Sequence, residues 1–154
     1  MSTLLAISRP TEWNLPLFVH VLGAMILVGG LLTGASAIAF ARGDARFLRL
    51  GYWTLLLVAL PGYIVMRIGA EWIYSKEGWG DLPDDAVPTW IDIGFNLADG
   101  GALLTLIALV LGGIGVRRLR DGRGTGLLKA AMVIAWIVLA AALVAVWAMA
   151  GKPG

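Results

Sequence analysis

Apolar residues in this chain neither alternate nor keep to one helical face. They run in four long blocks separated by short polar stretches, at roughly 15–40, 50–75, 91–116 and 127–150. About 20 consecutive apolar residues cross a hydrocarbon core about 30 Å thick as a single helix, and blocks of about 24–26 leave room for tilt. A barrel strand needs about ten residues of strict alternation, and no such segment is found in the sequence. The pattern therefore predicts an all-α, polytopic membrane protein: one domain over residues 1–154, a bundle of four transmembrane helices whose solvent is the lipid bilayer. Composition agrees, with 59% hydrophobic and 14% charged residues against about a quarter charged in soluble domains.

The polar breaks set the expected orientation. The loop at 41–49 carries Arg42, Arg46 and Arg49 against Asp44, and the loop at 117–126 carries Arg117, Arg118, Arg120 and Arg123 against Asp121. The middle loop, 76–90, is acidic, with Glu77, Asp81, Asp84 and Asp85 against Lys76. Short loops rich in Lys and Arg stay in the cytoplasm. Both arginine loops are thus expected in the cytoplasm, and the acidic loop and both termini outside, in a bacterial inner membrane. The net charge of +2 is topogenic on this reading and does not call for nucleic acid. Trp13, Trp72, Trp79, Trp90 and Trp147 fall near the outer boundary and Tyr52 with Trp53 near the inner one, as interfacial anchors do. Trp136 falls deeper and is expected to pack inside. Gly78, Gly80, Pro83 and Pro88 make the acidic loop a turn-rich cap over the bundle mouth. No cleaved leader is expected, because the first apolar run exceeds a signal peptide's apolar core of about 7–15 residues. Cysteine is absent, which excludes disulfides and thiolate chemistry.

His20, Gly23, Leu27, Gly30 and Gly34 recur at spacings of three and four and share one face of the first helix. Gly30 and Gly34 form a small-xxx-small pair, which lets helix backbones approach closely in lipid. The partner could be another helix or a second copy, so a homo-oligomer or a larger membrane complex is open. Ala131, Ala135, Ala142 and Ala145 suit close packing of the last helix, and Pro61 is expected to kink the second. A glycine pair before each arginine loop hints at two related hairpins.

Ionisable residues at membrane depth carry the functional signal. Tyr63, Arg67, Glu71 and Tyr74 form a stripe on the second helix, and Asp92, Asn96 and Asp99 one on the third. At about 1.5 Å per residue, Glu71 and Asp92 lie within about 6 Å of the outer boundary. His20 and Asn96 then lie about 8 Å down, and Arg67 and Asp99 about 12 Å down. Charges at such depth face inward and pair. Arg67 is expected with Asp99 as an ion pair, and His20 with Glu71 or Asn96. Asp92 is expected to cap the third helix. His20, the only histidine, is the candidate metal or haem ligand, with Met25 or Met66 as a further haem ligand or with Glu71, Asp99 or a methionine around copper. His20, Arg67, Glu71, Asn96 and Asp99 together are the candidate ligand-binding or proton-relay set. No HExxH, GxSxG or nucleophile–base pair occurs, so a membrane enzyme is the weakest of the readings.

The segment FVHVLGAMILVGGLL, with its histidine before Gly-Gly, and LPGYIVMRIGAEW in the second helix resemble a group of small bacterial membrane proteins. These are a four-helix predicted integral membrane family of unknown function and, more distantly, the membrane domain of the copper-resistance protein D family. The first of these implies no activity. The second implies metal uptake across the inner membrane, with His20 as the matching position. Membrane protoporphyrinogen oxidases have a similar opening helix, which implies a haem-linked histidine, again at His20. Two functions remain in view: a protein that binds or transports a metal, haem or small polar ligand in its outer third, and an accessory or scaffold subunit whose polar residues only lock helix packing.

Overall fold

The computed structural model describes residues 14–83 and 86–151. Trp13, Asp84, Asp85 and both chain ends, expected on the outer side, lie outside the described residues. The described chain forms four helices long and apolar enough to cross a membrane: α1 (Asn14–Ala39), α2 (Ala45–Glu77), α3 (Thr89–Asp121) and α4 (Thr125–Gly151). No strand occurs among the described residues. Helices α2 and α3 run five residues past the apolar blocks at their arginine ends. These turns, ARFLRL and VRRLRD, are amphipathic: Leu48 is buried while Arg46, Arg49, Arg117 and Arg118 are exposed. A hydropathy boundary cuts them off although the helix continues.

The turn into α2 shows why the chain reverses there. Gly43 takes φ +91°, open to glycine at no steric cost, and the Asp44 carboxylate accepts from the Arg46 N–H at 2.7 Å. Asp44→Ala is expected to lower the thermal midpoint by about 2–4 °C, the usual cost of a lost cap in a chain this long, measured by thermal unfolding in detergent. Further along α2, Leu55–Ala59 is π-helical, and the Leu60 N–H donates to Leu55 O. Pro61 follows immediately. Its ring would crowd the carbonyl four residues back in a regular helix, and the wider turn accommodates it without breaking the helix.

The bundle is small inside and large outside. The buried positions of α1 are mainly glycine, alanine and leucine, while Phe18, Met25, Phe40, Leu57 and Leu103 are more than half exposed. Only 22–28% of each spanning stretch is buried within the chain. Water would not tolerate such an apolar outer surface; acyl chains would. Trp136 belongs to this surface, at 38% exposure, rather than to the interior where its depth placed it. Tyr52 departs the other way: it is half-buried, and its ring rests on Gly112 and Gly113 of α3.

Two antiparallel hairpins, α1–α2 and α3–α4, carry most of the packing, and α1 against α4 joins them. Gly23, Gly30 and Gly34 sit directly on α2. A Cβ on Gly23 would fall 2.1 Å from the Met66 nitrogen, and one on Gly30 would fall 2.6 Å from that of Ala59. From the other side, Gly62 and Gly69 press on Leu27 and His20 of α1 in the same way. The glycine face is thus covered by the chain's own second helix and is not free for a second copy. The dense core lies at the arginine end, where Leu31, Leu48 and Leu128 are almost wholly buried. Toward the acidic loop, α2 and α3 scarcely touch through their backbones, and the site lies there.

Candidate functional site

Close approach of α1 and α2 places the first residue. With no side chain at Gly69, the His20 backbone settles against it, and the ring's Nδ1 comes 3.0 Å from the Met66 carbonyl oxygen. A carbonyl only accepts, so Nδ1 carries the proton and donates. In the uncharged tautomer with that proton on Nδ1, Nε2 is a lone-pair acceptor. This differs from the expected partners Glu71 or Asn96. Glycine packing draws the ring onto the α2 backbone, which offers an acceptor closer than any carboxylate.

Arg67 sits two turns beyond Pro61. Its Nη2 lies 3.0 Å from Asp99 Oδ1 on α3 and 3.0 Å from Glu71 Oε1 one turn along α2. Its guanidinium carbon stands 4.6 Å from the centroid of the Phe95 ring, close enough for attraction to the ring face. Phe95 also meets Tyr74 edge-on at 5.3 Å, and the Tyr63 hydroxyl donates to Ala98 O at 3.5 Å. Side chains therefore bridge the seam where the two backbones diverge. The arginine is the inner member, its side chain 25% exposed, against 54% for Glu71 and 63% for Asp99. Both carboxylates face outward from the bundle, contrary to the inward orientation expected at their depth.

Asn96 does not join them. It is exposed, and its amide donates to Asp92 O in its own helix at 2.8 Å. Asp92 is no cap either: α3 begins at Thr89, its cap position is Pro88 with no side-chain hydrogen bond, and Asp92 stands in the first turn. There its charge favours the positive end of the helix dipole.

Behind the seam lies a cavity of about 80 Å³, walled by all four helices. Leu27 and His20 of α1, Tyr63, Met66 and Arg67 of α2, Phe95 and Ala98 of α3, and Ala142, Ala145 and Met149 of α4 line it. Small residues help to leave it open: α3 contributes Gly94, against which the Met149 side chain of α4 packs, and Gly101, which faces Val138, while α4 contributes Ala142 and Ala145. The wall is almost wholly apolar, and its polar groups are His20, Tyr63 and Arg67. Of the five residues singled out as binding candidates, His20 and Arg67 reach the cavity, Glu71 and Asp99 hold Arg67 from outside, and Asn96 stands apart.

The groups that the resemblance implies fit poorly. Among the described residues, no three of His, Cys, Asp and Glu gather as a ligand set. Met66 and Met149 are soft donors on the wall, but the Arg67 cation shares that wall and would repel a metal ion. Met25 points away, at 68% exposure. A space of about 80 Å³ is far below the roughly 300–1,000 Å³ of sites that enclose larger ligands, so it is too small to enclose a haem.

Phe95, Gly62, Gly69 and Met149 were not singled out from the sequence. Gly62 and Gly69 repeat the seven-residue spacing of Gly23 and Gly30, a signal that pairing the two helices would have exposed. No protein-family model matches the chain, and neither does any curated protein or solved structure, so the role of the site rests on its own geometry.

Proposed function

We propose that the chain is an integral membrane protein of the bacterial inner membrane, with its arginine loops in the cytoplasm, and that it binds a small, mostly apolar molecule in the cavity between its four helices. The cavity carries this reading: an apolar space with a few convergent polar groups is the usual form of a small-molecule site. The outward belt of large side chains and the four long apolar helices support the membrane setting. The ligand differs from the polar one that the stripes of charged residues favoured, because most of those residues lie outside the cavity.

Filling the space tests the reading. Protein purified with its surrounding lipid is expected to carry a small molecule that mass spectrometry of the extract detects. Ala142→Leu, which places a larger apolar side chain on the cavity wall, is expected to lose it while keeping or raising the thermal midpoint. Extracts with no difference between the two proteins would remove the reading.

A second function, an accessory subunit, draws on a different observation. Glu71, Asp99, Asn96 and Asp92 are exposed along one seam at membrane depth, where lipid solvates charge poorly. A partner helix bearing donors would cover them. Cross-linking from a photoreactive residue at position 96 to another membrane protein in whole cells would favour that role.

A further inference from the structure

We infer that the cavity selects a neutral, hydroxyl-bearing lipophile, seating its polar end between His20 and Arg67. This rests on the reading of the cavity as a binding site and names the class of molecule it takes. Three polar groups reach the wall, and their hydrogen-bonding states follow from their partners. The His20 Nδ1 proton is committed to Met66 O at 3.0 Å, so in the uncharged ring Nε2 is an acceptor that asks for a proton from the ligand. Arg67 carries five N–H donors, and its ion pairs with Glu71 and Asp99 both engage Nη2, so it has donors to spare for a ligand oxygen. Tyr63 donates to Ala98 O, and its oxygen can still accept. A group that both donates and accepts through one atom answers this arrangement, and a hydroxyl does so.

Charged ends are disfavoured from both directions. An anion would reach Arg67, but Glu71 and Asp99 already hold that guanidinium, and together with it they carry a net negative charge. A cation would meet the guanidinium first, because Arg67 lines the cavity and the two carboxylates do not. The rest of the wall is apolar, which suits a hydrocarbon body. With a volume of about 80 Å³ and one side partly open, the space holds a group of a few heavy atoms, the polar end of a longer molecule or a short alcohol whole.

The single histidine makes the test direct. Protein labelled with ¹⁵N-histidine, purified by a histidine-free tag and held in nanodiscs, gives one imidazole. Its two nitrogen resonances report which nitrogen bears the proton. At a pH where the ring is neutral, Nδ1 is expected protonated and Nε2 bare. Titration with butan-1-ol is expected to move the Nε2 resonance saturably, whereas butyrate and n-butylammonium leave it in place. His20→Phe is expected to weaken butan-1-ol binding roughly two- to tenfold, the value of one hydrogen bond, read by the shift in thermal midpoint. A proton found on Nε2, equal responses to all three probes, or butan-1-ol raising the midpoint with Nε2 unmoved would each overturn the inference and leave the cavity reading standing. If no probe moves either the resonance or the midpoint, the cavity reading falls too.

Discussion

Gly23→Ala is expected to lower the thermal midpoint by up to about 12 °C, among the largest effects that a single added methyl group can have in this protein. The new Cβ would stand 2.1 Å from the Met66 nitrogen and 2.6 Å from its Cα, both backbone atoms of α2. A flexible side chain could swing aside, but a helix backbone moves only as a unit. Overpacking costs typically 1–3 kcal/mol, occasionally more, and each kcal/mol is worth about 2–4 °C in a chain of this length. Gly29→Ala supplies the control. Nothing lies within 4 Å of its Cβ, and alanine favours the helix by about 0.5–1 kcal/mol over glycine. Thermal unfolding of the two variants in one detergent should therefore separate them in opposite directions. Similar midpoints for both would mean that α1 and α2 are not pressed together as described.

Arg67→Met is the second. It leaves Glu71 and Asp99 without their shared cation and removes the contact with Phe95. An unpaired carboxylate at the centre of a membrane helix costs about 2.5–3.5 kcal/mol on insertion scales. The partial exposure of both carboxylates, toward the acidic-loop end of the helices, reduces that figure. A loss of about 1–2 kcal/mol is expected for Arg67→Met alone. The triple variant Arg67→Met, Glu71→Gln, Asp99→Asn should recover most of it, since the stranded charges go with the arginine. Chemical or thermal unfolding in nanodiscs reads both. A triple variant as unstable as the single one would show that the arginine acts through packing on Phe95, not through charge.

Sequence legibility follows the range of the interactions. The four apolar blocks marked the helices because length against bilayer thickness is a local property, and errors arose only where amphipathic turns such as Ala45–Leu50 carry arginine. The face of α1 with Gly23, Gly30 and Gly34 could be read from its spacing. Its partner could not, since choosing between α2 and a second copy requires knowing that Gly62 and Gly69 present the complementary surface. Matched depth brought Arg67 and Asp99 together on paper, and they lie 3.0 Å apart. The same argument failed for His20, because depth says nothing of rotation about the helix axis. It failed for the inward placement of Glu71 and Asp99 for the same reason. The cavity was invisible, because it is made of residues that are too small, and an absent side chain leaves no motif.

The order in which contacts close has its own consequence. Helices α1 and α2 are joined by a turn of a few residues, and so are α3 and α4; such local pairings form early. The join between the hairpins runs from the first helix to the last. It cannot form until α4 has been made. Ala142, Ala145 and Met149, one wall of the cavity, belong to that helix. The cavity is therefore enclosed only once α4 is in place, and a nascent chain stalled before α4 would hold both hydrogen-bonding groups of α2 and the histidine of α1 with nothing yet enclosed between them.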